Sequence, residues 1–333
     1  MTAAEPALVA IADIRAAAAT LRGVALHTPL VPFGHADRRQ WLKAESLQPI
    51  GAFKIRGAYT AAARLPPEAR ARGLITYSSG NHAQGVARAA RLFGVPAVIV
   101  MPSDAPALKR ARVAADGAEI VIVGPGSDER RIVAERIAAE RDLAMIPPYD
   151  DPAIIAGQGT VGLEIAQDLP DVSAVLVPIG GGGLAAGVIA ALRALRPTVR
   201  LVGVEPELAA DAQASFRAGE IVSWPAEQVS RTISDGTRTQ AVGGLNFAHL
   251  SRHMDDIVTV SEQEIAAAVR LIAEEARLVA EPSGALAAAA MRFRAREAGI
   301  AAMDGPVVGI VSGGNVDPDR FADYLTAPVP PEG

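Results

Sequence analysis

Of the 32 basic residues in this 333-residue chain only three are lysines, Lys43, Lys54 and Lys109. Lys54 stands in Gly51-Ala52-Phe53-Lys54-Ile55-Arg56-Gly57-Ala58, between glycines and with little charge around it. Arginine cannot shed its proton and condense with an aldehyde as a Schiff base, whereas lysine can. A lysine kept in such a segment is a candidate covalent anchor for pyridoxal 5'-phosphate (PLP). The plain alternative is one surface lysine of three, in a chain whose arginine bias has another origin.

Three polar, glycine-containing turns each follow an apolar run. Gly180-Gly181-Gly182-Gly183 joins Ala174-Val175-Leu176-Val177 to a helix expected from Leu184. Without Cβ atoms its backbone N–H groups can close on a phosphate, and the helix N-terminus adds positive potential. Gly180, Gly182 and Ala185 also fit the relaxed dinucleotide fingerprint, with Glu205 ending the next strand. Taken alone, this segment suits an NAD-binding domain as well as a PLP phosphate cup. Ser78-Ser79-Gly80-Asn81-His82 can offer hydroxyls and helix N-terminal amides to a carboxylate, and Ser312-Gly313-Gly314-Asn315 is the third turn. Three such turns plus a special lysine fit a small, covalently held phosphorylated cofactor with an amino-acid substrate, and a dinucleotide fold needs none of the other three features.

The elements that must position these turns alternate along the chain. Residues 74–77, 96–101, 119–123 and 143–146 read as strands, with helices over 83–93 and 128–140 between them. A second series has strands at 174–177, 200–204, 257–260 and 307–311, with helices over 184–195 and from about Glu262. Strand–helix–strand units require parallel pairing. The expected fold is α/β, with two parallel-sheet domains and a cleft where strand C-termini gather the turns. The Pro-Pro pairs at 66–67 and 147–148 suggest a large domain of 1–65 and 150–330 around a small one of 73–148, and Ala327 to Gly333 reads as a disordered tail.

Composition narrows the function. Half the residues are hydrophobic but only 4% are aromatic, so the core must be Ala, Val, Leu and Ile. A net charge of −5 without a basic block gives no support to nucleic-acid binding. The absence of cysteine excludes disulfides, thiolate metal sites and a cysteine nucleophile. Val172 to Leu192 carries no charge, yet Pro178 and four glycines would leave a spanning helix without backbone partners, so no membrane span is expected. The N-terminus lacks the basic region of a signal peptide, which makes the cytoplasm the default location.

The segment around Lys54, the Ser78 to His82 turn, the tetraglycine, Glu281-Pro282-Ser283-Gly284 and Ser312 to Asn315 occur in one order. In this the chain resembles the fold-type II PLP enzymes (tryptophan synthase β-like), specifically the serine/threonine dehydratase and serine racemase group, from about Thr28 to Asn315. The resemblance implies that Lys54 holds the cofactor and shuttles the α-proton, and that Phe53 packs on its ring. Asn81 would bond the ring 3'-oxygen, Gly180 to Gly183 the phosphate, and Ser312 would face the ring nitrogen. Ser78, Ser79, Gly80, Asn81 and His82 would bind the substrate carboxylate. Ser79 would be a second acid/base group in a racemase, or only a helix cap. Glu205, the Ala209 carbonyl and Asp211 match the spacing of a Mg²⁺ or Ca²⁺ site in the racemase-like branch, or form an ordinary acidic loop. Only 18 residues follow Asn315, too few for the regulatory domain of isoleucine-inhibited members. The expected activity is dehydration and deamination of L-threonine or L-serine by a homodimer. Serine racemase and 3-hydroxyaspartate dehydratase are the alternatives, since Arg130, Arg131 or Arg238 could meet an acidic side chain. An NAD-dependent oxidoreductase and a non-catalytic ligand sensor are the remote ones.

Overall fold

The computed structural model describes residues 6–34, 39–78, 80–124 and 127–332. Helix α1 (Ile11–Thr20) precedes strands β1 (Leu30–Pro32) and β2 (Gln40–Ala44). Helices α2 (Lys54–Arg64) and α3 (Pro67–Arg72) lead to β3 (Leu74–Tyr77), α4 (Asn81–Phe93), β4 (Ala97–Pro102), α5 (Ala107–Ala115) and β5 (Glu119–Val123). Next come α6 (Ser127–Arg141), β6 (Ala144–Met145), α7 (Pro152–Asp168), β7 (Ala174–Pro178), α8 (Gly183–Leu195) and β8 (Arg200–Pro206). The chain continues through α9 (Asp211–Ala218), α10 (Ala226–Val229), α11 (Gly244–His253), β9 (Asp256–Val260) and α12 (Glu262–Leu271). It closes with α13 (Pro282–Phe293), β10 (Val307–Val311) and α14 (Pro318–Leu325).

The strands form two sheets. The larger has the order β1-β2-β10-β7-β8-β9 and the smaller β5-β4-β3-β6. Every pairing is parallel except β1 with β2, an antiparallel edge in a stretch where the sequence patterning showed no strand. Strands β4, β7 and β10 are buried along their whole length, as aliphatic strands covered on both faces by helices must be. Helix α13 is also wholly buried, its Ala-rich surface letting it pack closely against the large sheet and α12. Local signals set the helix starts. Asp151 caps α7 by accepting from Ala153 and Ile154 N–H (2.7 and 3.1 Å), and Ser261 with Glu264 forms a capping box on α12.

The uncharged stretch from Val172 to Leu192 resolves into β7, a turn and most of α8. Among the described residues no helix is long and apolar enough to cross a membrane. Residues 327–332 form no helix or strand, but the Ala327 carbonyl accepts from Arg270 (3.0 Å) and Glu332 pairs with Arg292 (2.8 Å). The segment read as a disordered tail is thus held to the body at two points.

Helix α2 is anchored by a buried ion cluster. Arg56 reaches Glu45 through Nε and Nη2 (2.7 and 2.8 Å) and Glu164 through Nη1 and Nη2 (2.6 and 2.9 Å). Lys43 Nζ lies 2.7 Å from Glu164 and donates to the Thr28 carbonyl at 2.6 Å. Thr28 Oγ1 donates to Glu45 at 2.6 Å. Arg56 and Lys43 face Glu45 and Glu164, with the more exposed Asp168 3.7 Å from Lys43 Nζ at the edge, and α2, α7, β2 and the loop before β1 are tied together two residues beyond Lys54. Removing one member of such a buried set leaves its partners uncompensated, at a cost of about 3–5 kcal/mol. Arg56→Met is therefore expected to lower the unfolding free energy by about that amount in urea titrations. A loss below about 1 kcal/mol would mean the cluster does not hold α2 in place.

Candidate active site

Beyond β10 the chain runs alongside the segment that leads into α2. Phe53 N–H donates to the Ser312 carbonyl (3.0 Å), Gly314 N–H to the Gly51 carbonyl (2.9 Å), and Ala52 and Gly313 form a β-bridge. Lys54, the first residue of α2, therefore sits at the C-terminal edge of the large sheet, where ligand-binding turns collect in parallel α/β folds. Phe53, Lys54, Ser78, Gly80, Asn81, His82, Gly180 to Gly183 and Ser312 all line one cavity of about 370 Å³. Every cofactor- and substrate-contact residue expected from the sequence is thus brought together, save Ser79, which lies outside the described residues, as does His35. Arg130, Arg131 and Arg238 line the same cavity.

The three lysines differ in their company. Lys43 is paired with Glu164, and Lys109 Nζ lies 2.6 Å from Asp235 and 3.0 Å from Glu281. Lys54 Nζ instead donates to the backbone carbonyl of Pro148 at 2.8 Å, and no carboxylate contributes to its electrostatics. Burial alone holds its pKa down at about 8. It is not a surface lysine. His82 is buried with Nε2 against the Ile146 carbonyl (3.1 Å), and burial together with the Lys54 charge depresses it to about 3, so its ring is neutral.

The tetraglycine is a cradle that side chains would fill. A Cβ on Gly181 would come within 2.3 Å of the Tyr149 ring, and Gly182 has φ +93°, a left-handed conformation that favours glycine. Asn246 Nδ2 and Gly243 N–H both donate to the Gly181 carbonyl (2.6 and 3.1 Å), turning that oxygen away and fixing the loop at the start of α8. An amine whose pKa burial lowers, a glycine loop on a helix N-terminus, and Ser312 and Asn81 on the same cavity fit PLP. A dinucleotide does not account for the lysine.

Sequence reasoning missed several groups that the fold brings here. Tyr149 backs the glycine loop, and burial pushes its phenol up to about 12. Its segment reads in one dimension as a Pro-rich boundary, and nothing local indicates that Pro148 would receive the lysine. Lys109 and Asp235, 126 residues apart, also meet at the cavity wall, and Glu281 joins them just behind it. The expected metal residues lie elsewhere, Glu205 at the end of β8 and Asp211 at the start of α9, and neither lines this cavity.

The depressed lysine has a kinetic consequence. Only the neutral amine attacks an aldehyde, so capture of PLP by cofactor-free protein should accelerate as pH rises through about 8 and then level off. An unperturbed lysine would keep accelerating to about pH 10.4. Stopped-flow absorbance of Schiff-base formation measures this. Lys54→Ala should capture none, and a rate still climbing steeply from pH 9 to 10 would refute the desolvated-amine reading.

Comparisons with known proteins agree with this geometry. Residues 22–313 match the family described as "Pyridoxal-phosphate dependent enzyme". The chain is 44% identical over 287 residues to the L-threo-3-hydroxyaspartate ammonia-lyase of Saccharomyces cerevisiae, covering 86% of each protein. It is 40% identical to the L-threonine ammonia-lyase of Thermotoga maritima, over 93% of this chain and 76% of that one. The structure of maize serine racemase superposes with a TM-score of 0.89 at 35% identity, covering 96% of this chain and 97% of the other. Through its lysine, its glycine cradle and these relationships, the chain belongs to the pyridoxal-phosphate dependent enzyme family, with the fold-type II architecture of serine racemase and threonine deaminase.

Proposed function

We propose that this enzyme is a PLP-dependent ammonia-lyase of β-hydroxy α-amino acids and that L-threo-3-hydroxyaspartate is its preferred substrate, ahead of L-serine and L-threonine. Water leaves in the elimination and returns when the released enamine hydrolyses, so the net products are a 2-oxo acid and ammonia. The observation that carries the substrate preference is Arg130. It lines the cavity that holds Lys54, and its Nε is buried with no hydrogen-bond partner among the described residues. Burial lowers the pKa of its guanidinium, and the nearby Asp104 carboxylate offsets only part of that effect. A β-carboxylate would supply that charge, whereas the side chains of serine and threonine would not. The yeast relative named for this substrate adds support.

In this reading the cofactor supplies an aldehyde for the lysine and an electron sink for the charge developing at Cα. Gly180 to Gly183 and the N-terminus of α8 would hold its phosphate, with Phe53 and Ser312 serving its ring. Asn81 would donate to its phenolic oxygen. The α-carboxylate rests on Ser78, Gly80 and the N–H groups opening α4, and Lys54 Nζ takes the α-proton. We assign these roles to a large cofactor-binding domain of 1–65 and 150–330 and a small domain of 73–148, in a cytoplasmic homodimer. Truncating one partner of a buried charge pair costs about 2–5 kcal/mol, or about 30-fold and more. Arg130→Met should therefore lower kcat/KM for L-threo-3-hydroxyaspartate by about 100-fold and that for L-serine by less than about 5-fold. Equal losses on both substrates would remove Arg130 from specificity.

We also propose a Mg²⁺ or Ca²⁺ site at Glu205, the Ala209 carbonyl and Asp211. Both carboxylates are fully buried, and neither oxygen of Asp211 has a hydrogen-bond partner among the described residues. Glu205 is held by Ala212 and Gln213 N–H (3.1 and 2.7 Å). Two buried carboxylates of like charge call for a cation, and a hard cation with bound waters needs few protein ligands. A ligand bound only by the folded state stabilises it by about 2.7 kcal/mol at 100 times its Kd. Chelation should accordingly lower Tm, and Glu205→Ala with Asp211→Ala should abolish the response. An indifferent wild type after verified metal removal would favour an ordinary acidic loop.

A further inference from the structure

Lys109 lies outside every role assigned above, yet it is 2% exposed and stands at the cavity wall. It projects from α5, beside the small sheet, and its Nζ meets Asp235 (2.6 Å) and Glu281 (3.0 Å), which precede α11 and α13 beside the large sheet. The contacts continue without a break. Glu281 accepts from the Asn81 amide through its other oxygen, Asn81 Oδ1 accepts from Asn315 Nδ2 (2.8 Å), and Asn315 Oδ1 accepts from Arg112. Arg112 is one turn along α5 from Lys109, so the polar chain begins and ends on one helix. All five links cross the cleft. Lys109, Asn81 and Arg112 come from the small-sheet side, and Asp235, Glu281 and Asn315 from the large.

We propose that Lys109 is a positioning residue, a latch that closes the small domain on the large one and fixes the amide of Asn81 through Glu281. Its side chain lies along the carboxylate-binding turn, since a Cβ on Gly80 would meet Lys109 Cδ at 2.8 Å. With Lys109 absent, the buried Glu281 is left without its cation and with the partly exposed Asp235 nearby. Glu281 then takes a proton more readily, and a neutral carboxyl is a weaker acceptor of the Asn81 amide than a carboxylate. The hold on Asn81 follows the charge on Glu281, and that charge follows Lys109. An ion pair taken out of water yields little net stability, because its charges regain water when the cleft opens. Such a set therefore acts on geometry more than on Tm, as suits a contact made and broken between domains.

The test uses the PLP-loaded enzyme and its best substrate, with Lys109→Met, Glu281→Gln and the double variant. Lys109→Met should lower kcat by tenfold or more. It should also speed hydrogen exchange of the Gly80, Asn81 and His82 amides by a similar factor. The double variant should return to the level of Glu281→Gln alone, because the Glu281 charge through which Lys109 acts on Asn81 is gone and the partly exposed Asp235 can be hydrated. Exchange at these amides reports the latch whatever role Asn81 has toward the cofactor. Should Lys109→Met not fold, Asp235→Asn and Glu281→Gln are read in the same way, with faster exchange at residues 80–82 expected in each. Additive losses in the double variant, or exchange unchanged from wild type, would overturn the proposal and leave Lys109 as a structural ion pair.

Discussion

A primary amine that is to attack an aldehyde must be free of its proton, and in water at neutral pH a lysine is not. Lys54 is moved toward that requirement by burial with a carbonyl for company and, among the described residues, no carboxylate, which brings its pKa to about 8. The setting is costly to maintain in a chain with 37 acidic residues. Charge is kept from Lys54 by being consumed nearby. Two residues along α2, Arg56 draws Glu45 and Glu164 into a buried cluster, and across the cleft Lys109 occupies Asp235 and Glu281. The buried polar networks on either side of the amine therefore anchor helices and keep carboxylates occupied away from it.

The same arrangement explains why the cavity forms between two sheets. The glycine cradle and Ser312 belong to turns of the large sheet, whereas Asn81, His82 and Arg130 belong to the small one. A substrate carboxylate bound at α4 and a cofactor phosphate bound at α8 would be held by helices of different domains. Their separation depends on how the sheets meet. The links between elements of the two sheets through Asn81, Lys109, Arg112 and Asn315 are polar and directional.

The acidic pair at Glu205 and Asp211 lies apart from the cavity; burial raises the proton affinity of both carboxylates, and the Asp211 charge adds to it at Glu205. Tyr149 connects the regions. Its ring packs on Gly181, and the Asp211 charge contributes to keeping its phenol protonated.

What the linear chain determined was local. The scarcity of lysine, the apolar runs that became β3, β5 and β10 at the expected residues, and the glycine and serine turns at strand ends depend on neighbours a few residues apart. Periodicity and turn chemistry record such neighbours. The family order of these motifs added the cofactor. The tertiary structure alone decided which lysine lacks a carboxylate, because Lys43 and Lys109 find theirs 121 and 172 residues away, in Glu164 and Glu281. It also decided that Arg130 lines the cavity with Nε lacking a partner among the described residues, and that a Pro-Pro-Tyr segment backs the glycine loop. The antiparallel edge β1 belongs to the same class, since a three-residue strand has no pattern of its own and exists only because β2 is beside it. Burial and charge pairing are properties of the folded neighbourhood, and no window of sequence contains them.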